Sequence, residues 1–232
     1  MKITWLGQAG LLFEQDGFTV LVDPYLSDSV GEVSPALRRR VAVEERFLQI
    51  RPDVIVCTHN HADHTDPQTL RHYLGAKEQA ANYSVTVLTP GAAWEAARKF
   101  GGDHNYILFN HDTEVTVGSV RFLAVKAAHS DPDAIGVILD WGGKLYYHTG
   151  DTLYSKDIFA DIPTGIDTLF LPINGVGNNM NAVDASRFAK RIGAKRSVPL
   201  HWGLFDDHDP AAFQAAGRVI PTIYQEIGEK TI

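Results

Sequence analysis

The string Thr58-His59-Asn60-His61-Ala62-Asp63-His64-Thr65-Asp66 gathers three histidines and an aspartate within six residues, directly after the apolar run Val54-Ile55-Val56-Cys57. A lone histidine beside a strand is ordinarily a hydrogen-bonded structural residue. Several imidazoles and a carboxylate collected against a buried strand are costly unless a cation neutralises and orients them, so the chemistry in view is metal binding. A strand that ends in a His-rich loop holds its side chains on a rigid base, and ligands need placement to fractions of an ångström. His59 and His61, two apart in an extended segment, point to one side, while Asp63 and His64 on the following turn can face a second ion. Cys57 is the sole cysteine, which leaves imidazole and carboxylate as the building material.

The elements able to carry such side chains are visible around the string. Short apolar or alternating runs bounded by turn residues predict strands over 3–6, 11–14, 19–22, 54–58, 84–88, 114–117, 120–126, 135–141, 144–148, 168–172 and 197–200. Gly142-Gly143 joins two of them through a connection suited to positive φ angles, which predicts a tight hairpin. Helical patterns cover 67–74, 91–100, 183–192 and 210–216. Asp66-Pro67 and Asp209-Pro210 each put an N-cap acceptor before a proline at the first helical position. Strands outnumber helices in both halves, so the expected architecture is an α/β sandwich of two mainly antiparallel sheets with helices outside. His129, Asp151 and His201 each follow a separate apolar run, and such strand ends can converge on one edge. Residues 28–49 are the least regular stretch, read either as a lid or binding loop or as a connection that covers a sheet edge.

With 232 residues and 44% hydrophobic content, the chain fits one domain, 1–232, able to build a core without disulfides. Its start, MKITWLGQAG, opens into a strand-like run with neither a basic-then-apolar leader nor an apolar stretch of about 18 residues. The expectation is a soluble cytoplasmic protein with no membrane partner. A formal charge of −7 opposes extended nucleic-acid binding, which needs a basic surface. Arg38, Arg39 and Arg40 form a local basic run that is most simply a solvated face.

His-x-His-x-Asp-His after an apolar strand resembles the signature of the metallo-β-lactamase superfamily. Asp23 in Val22-Asp23-Pro24, His129 after the run 121–128, Asp151 in Thr149-Gly150-Asp151-Thr152 and His201 in Val198-Pro199-Leu200-His201-Trp202 follow the same family's order, so the likeness spans nearly the whole chain. It implies a four-layer αββα sandwich of two mixed sheets flanked by helices, carrying two divalent metal ions. His59, His61 and His129 would bind the first ion, Asp63, His64 and His201 the second, and Asp151 would bridge them, with Asp23 orienting a ligand histidine or capping its own turn. Asp63 and Asp151 would also be the carboxylates nearest the reaction. This set, without thiolate, suits manganese, zinc or iron. Two such ions sharing a water lower its pKa towards neutrality and polarise the bond under attack, which is metal-assisted hydrolysis.

Within that superfamily the chain resembles the L-ascorbate-6-phosphate lactonase group, in Trp5-Leu6-Gly7-Gln8-Ala9-Gly10, Asp23-Pro24-Tyr25, the segment 171–180 and Val198-Pro199-Leu200-His201-Trp202. The resemblance implies opening of a lactone or ester of a small molecule such as a phosphorylated sugar acid, with manganese as the working metal. Asn178, Asn179 and Asn181 stand on a Gly-rich loop where they can hydrogen-bond substrate or simply form the turn, and Asn179 is the candidate substrate contact. Trp202 and Tyr25 can wall the pocket, with Trp202 a second substrate contact, or pack beneath it. Two other functions stay open. A phosphodiesterase or nuclease resembling the transfer-RNA 3′ processing enzymes is opposed by the acidic charge. A metal-binding protein without turnover is opposed by the completeness of the ligand set. Assembly into a homo-oligomer is left open.

Overall fold

The computed structural model describes residues 1–75 and 83–228, and alternation along its strands decides where each side chain goes. On β1 (Lys2–Gly7) and β2 (Gly10–Gln15), Ile3, Trp5, Leu11 and Phe13 enter one core while Leu6 and Leu12 enter another on the opposite face. β3 (Phe18–Val22), β4 (Val54–Val56), β5 (Thr86–Thr89) and β6 (Asn105–Leu108) complete a six-stranded sheet in chain order. β7 (Glu114–Val117), β8 (Val120–Lys126), β9 (Ile135–Trp141), β10 (Lys144–His148), β11 (Thr168–Pro172) and β12 (Arg196–Leu200) form a second six-stranded sheet, also in chain order.

The sheets pack face to face through residues such as Trp5, Phe13 and Val54 on one side and Phe122, Val137 and Phe170 on the other. Phe13 meets Tyr146 and Phe170 edge-on, at 5.8 and 5.9 Å between ring centroids. The helices are α1 (Ser29–Val33), α2 (Glu45–Leu48), α3 (Pro67–Leu74), α4 (Gly91–Arg98) and α5 (Ala182–Ile192). Leu70 and Leu74 of α3 and Ala97 of α4 cover the outer face of the first sheet, and Ala185, Phe188 and Ala189 of α5 cover that of the second. These are the expected four αββα layers.

Both sheets are mixed, with a larger parallel share than "mainly antiparallel" expects. Pairing is antiparallel from β1 to β3 and from β7 to β10, and parallel from β3 to β6 and from β10 to β12. The reason is that parallel neighbours require crossovers, which α3, α4 and α5 supply for three pairs and the segments between β3 and β4 and between β10 and β11 supply for the other two. Direction then fixes the site. β8 and β10 run the same way because each is antiparallel to β9, and β11 and β12 run with β10, so their C-terminal ends share one edge. The end of β4 meets them there, where Ile135 N donates to the Thr58 carbonyl at 3.0 Å.

Local chemistry explains where the elements match expectation and where they depart. Trp141 pairs with Lys144 across Gly142 and Gly143, whose φ angles of 62° and 76° make the tight hairpin. Asp66 caps α3 by accepting from Gln68 N and Thr69 N. The helix expected over 210–216 is only a single 3-10 turn, Pro210–Ala212, because Phe213 turns extended and is fully buried while Arg218 holds the Ala211 and Phe213 carbonyls. Strand β6 escapes sequence reading because it is an edge strand with both ends exposed. The stretch 28–49 contains α1, a 3-10 turn at Pro35–Leu37 and α2. Among the described residues, no helix is long and apolar enough to cross a membrane.

Gly150, between β10 and Asp151, has φ +59°, and a Cβ there would lie 2.5 Å from the Ile135 carbonyl oxygen and 3.0 Å from Thr58 Cβ. Gly150→Ala should therefore destabilise the fold by about 2–4 kcal/mol, from left-handed strain together with overpacking between the sheets. A denaturant midpoint equal to that of the unchanged protein, at equal slope, would contradict this.

Candidate metal centre

The His-rich loop is held by its own backbone and by a loop of the other sheet. His64 N and Thr65 N donate to the His61 carbonyl at 3.0 and 2.8 Å, Thr65 Oγ1 donates to the His59 carbonyl at 2.6 Å, and Asn60 N donates to Asp131 Oδ2 at 2.9 Å. His59 Nδ1 lies 3.2 Å from the Thr58 hydroxyl, and its Nε2 is buried with no hydrogen-bond partner. His129, just beyond β8, has Nδ1 3.3 Å from the Asn178 carbonyl and Nε2 3.2 Å from His61 Nδ1. A carbonyl only accepts, so the His129 proton sits on Nδ1 and the Nε2 lone pair faces His61. One ligand-capable atom from each of His59, His61 and His129 falls within a cluster whose members are no more than 4.8 Å apart.

A second group adjoins the first. His64 Nδ1 donates to Asp23 Oδ2 at 2.8 Å, which turns Nε2 towards His201 Nε2 at 3.4 Å, Asp151 Oδ1 at 3.4 Å and Asp63 Oδ2 at 3.9 Å. His201 Nε2 in turn lies 3.3 Å from Asp63 Oδ2 and 3.4 Å from Asp151 Oδ2. His59, His64 and Asp151 form one further cluster and Asp63, His64 and His201 another. All seven side chains singled out from the sequence as metal ligands are thus brought to one edge. Asp23 and His201 adopt positive φ angles of 45° and 61°, backbone that the surrounding bonds must hold in place.

Lone pairs aimed at one another need either protons or cations between them. Burial, reinforced by charge on His64, pushes His59 down to about 2, so it stays neutral, the form a metal ligand takes. Burial also works against charge on His64 and His201, but the carboxylates outweigh it. Asp151, Asp23 and Asp63 hold His64 well above its usual value, and Asp151 with Asp63 takes His201 up to about 10. Burial likewise opposes ionisation of Asp63 and Asp151, yet His64 and His201 hold both below the ordinary carboxylate range. The buried, unpartnered His59 Nε2 and Asp151 Oδ1 are what a cation would satisfy, and the five imidazoles and two carboxylates suit manganese, zinc or iron.

In metal-free protein, the raised His64 and His201 stabilise the fold fully below the ordinary histidine pKa of 6.5, and this contribution fades as pH rises through the raised values, about 10 for His201. Cations must displace those protons, so metal affinity should rise with pH and binding should release protons. Adding metal at about 100 times its Kd to chelator-stripped protein should stabilise it by ~2.7 kcal/mol per site and raise Tm by about 5–10 °C. A Tm indifferent to manganese, zinc and iron would remove the assignment.

The remaining predicted residues divide. Asn179 is buried and its amide bridges the site, Nδ2 donating to Asp151 Oδ2 at 2.8 Å and Oδ1 accepting from Thr152 N at 3.0 Å, so it positions Asp151 although it also lines the cavity. Asn181 caps α5, and Asn178 offers its carbonyl to His129. Trp202, expected as a substrate contact, is half-buried: its ring lies tilted against Trp5 at 5.1 Å between centroids, it donates to the Pro199 carbonyl, and it is not among the described lining of the cavity. Tyr25 is buried, its hydroxyl accepting from Val30 N. Two positioning residues were missed: Gln8 Nε2 donates to Asp63 Oδ2 at 3.2 Å and lies 3.3 Å from His201 Nδ1, and Asn174 Nδ2 lies 3.0 Å from the same Nδ1. Both stand inside the motifs quoted for the lactonase likeness, which was their only signal. His148, buried at the end of β10, accepts from Gly150 N and donates Nε2–H to the Ala9 carbonyl, a neutral histidine that fixes the turn before Asp151.

A fold of two mixed sheets with a His/Asp cluster at one edge defines a class, and the family pattern described as "Beta-lactamase superfamily domain" matches residues 19–202. The chain belongs to that superfamily. It is 28% identical over 232 residues to a "UPF0173 metal-dependent hydrolase" of Carboxydothermus hydrogenoformans, covering 95% of this chain and 93% of the relative. Among solved structures it is similar to Igni18, a metallo hydrolase from Ignicoccus hospitalis, with a TM-score of 0.75 at 20% identity over 97% of both chains. It is also similar to a diphosphatase from the PhnP family, with a TM-score of 0.69 at 18% identity over 94% of this chain and 83% of the other.

Proposed function

We propose that this chain is a metal-dependent hydrolase that opens a lactone or ester of a small molecule. One observation carries the reading: seven imidazoles and carboxylates converge with lone pairs facing inward, and His59 Nε2 and Asp151 Oδ1 are buried without hydrogen-bond partners. His59, His61, His129, Asp63, His64, His201 and Asp151 would hold two divalent ions there. When bound, the ions would polarise the bond under attack and lower the pKa of a water beside it. The relatives' name, metal-dependent hydrolase, agrees with this class.

The protein's own groups do the rest. Asp23 fixes the proton on His64 Nδ1, and the Asn178 carbonyl does the same for His129, so that Nε2 of both rings faces the site. Asn179 holds Asp151, and Gln8 holds Asp63, each through an amide N–H. Asp63 and Asp151 both line the cavity, where a carboxylate can take the proton that hydrolysis releases and pass it to the leaving alkoxide. Specificity for a lactone or ester follows from the likeness in the Trp5–Gly10, Asp23–Tyr25, 171–180 and Val198–Trp202 motifs.

The test is a panel of lactones and esters set against bis-p-nitrophenyl phosphate, with manganese and with zinc. The expected result is the higher kcat/KM on lactones. Preference for the phosphodiester would move the assignment to the phosphodiesterase class, for which the diphosphatase of similar fold is the precedent. Stoichiometric metal with no turnover on any substrate would favour the non-catalytic reading.

A further inference from the structure

The cavity over the His/Asp cluster, about 510 Å³, takes its outer wall from segments distant in sequence. Val30 and Leu37 come from the stretch 28–49, Val176 from the loop after β11, and Phe205 and His208 from the loop after β12. The segments are tied together: Arg40 N donates to the Leu204 carbonyl at 2.9 Å, and Phe205 packs edge-on against Tyr25 at 5.5 Å. At the mouth, Leu37 and Val176 are apolar yet 42% and 63% exposed.

Charge on this wall is of one sign. No lysine or arginine is among the described lining residues, whereas Asp206 and Asp207 are. The nearby arginines have other partners: Arg38 faces Asp28, Arg39 donates to the Tyr25 and Val41 carbonyls and the Tyr224 hydroxyl, and Arg40 reaches Asp207 at 4.0 Å. One polar atom of the lining, His208 Nε2, is buried with no hydrogen-bond partner. A phosphoryl or carboxylate tail would here meet apolar carbon and carboxylates at a desolvation cost, and the nearest guanidinium, Arg40, is already engaged by Asp207. An alkyl tail would leave water for a matching surface.

We propose that the site takes an uncharged lactone or ester bearing an apolar chain. The chain lies against Val30, Leu37, Val176 and Phe205, and a polar group of the substrate meets His208 Nε2. This substrate class rests on the lactone or ester reading above and replaces the phosphorylated sugar acid that the resemblance implied.

The test is calorimetric binding to the metal-loaded full chain of γ-lactams, which present the ring and resist opening, bearing hydrogen, ethyl, butyl or hexyl substituents. The dissociation constant should tighten about 4-fold per methylene, and a terminal phosphate on the ethyl group should weaken binding. Leu37→Asp and Val176→Asp, at exposed side chains outside the core, should flatten the series. Affinity independent of chain length, no binding by any lactam, or tighter binding of the phosphorylated compound overturns the proposal. Turnover is read separately. A rising lactam series in a protein that opens no lactone or ester keeps the cavity's preference and removes the lactone or ester reading, while ready turnover with a flat series removes the preference alone.

Discussion

Asp151→Ala is expected to lower kcat/KM by about 10³-fold or more, beyond the ~10–100-fold that loss of an outer-shell partner costs, and to reduce bound metal per chain. Its Oδ1 lies 3.4 Å from His64 Nε2 and its Oδ2 3.4 Å from His201 Nε2, so this one carboxylate touches both ends of the second group while sharing a cluster with His59. Asp63 also reaches His201 Nε2 and His64 Nε2, at 3.3 and 3.9 Å, but shares no cluster with His59. The variant also strands Asn179 Nδ2, whose acceptor is lost, and removes counter-charge from two histidines held protonated in metal-free protein. The stripped variant should therefore lose about 3–5 kcal/mol, the range for breaking a buried ion pair. Asp151→Asn keeps the side-chain volume and separates the two effects: activity should stay lost while more of the fold's stability returns. Elemental analysis finding two ions per chain in a fully active Asp151→Ala protein would end the assigned role.

What could be read from the sequence was local in origin. The His59–His64 string, the Gly142-Gly143 turn and the Asp66-Pro67 cap each owe their structure to residues a few positions apart, and each is found where expected. The second half of the site was legible only as strand-end residues in a family order, because nothing in a Gly-Asp-Thr turn or a terminal histidine announces which edge it will reach. Direction of the strands supplies that, and direction depends on crossovers. Contacts between remote residues left no trace beyond membership in a family motif. Gln8 reaches His201 across 193 positions, and a glutamine in a tight turn has no pattern that distinguishes it from any other polar turn residue. Phe213 departs from expectation for the opposite reason. Periodicity suggested it as part of a helix, but burial within the layer beneath α5 turned it extended.

Asp23 offers the second large effect, and it is one that separates geometry from charge. The side chain is fully buried and accepts from Thr58 N at 2.7 Å, Thr58 Oγ1 at 2.7 Å and His64 Nδ1 at 2.8 Å. It orients His64 and anchors the start of the His-rich loop; it does not serve the capping of its own turn. Asp23→Asn tolerates the positive φ of 45°, but its amide must set an NH2 against at least one of three donors. The expected loss is ~10–100-fold in metal affinity or activity, with about 1–3 kcal/mol of stability from the unsatisfied donor. Burial opposes the Asp23 charge, yet His64 and its hydrogen bond hold the pKa below the model-compound value of 3.8. The stabilisation from this carboxylate is therefore fully present above that value and is lost as pH falls through the lower folded-state pKa. The stability gap between the two proteins, measured by denaturant unfolding without metal, should hold across neutral pH and close only in strong acid. A gap that closes already between pH ~6 and 7, where histidine ordinarily titrates, would show that the imidazole proton carries the interaction and that Asp23 is held for its shape alone.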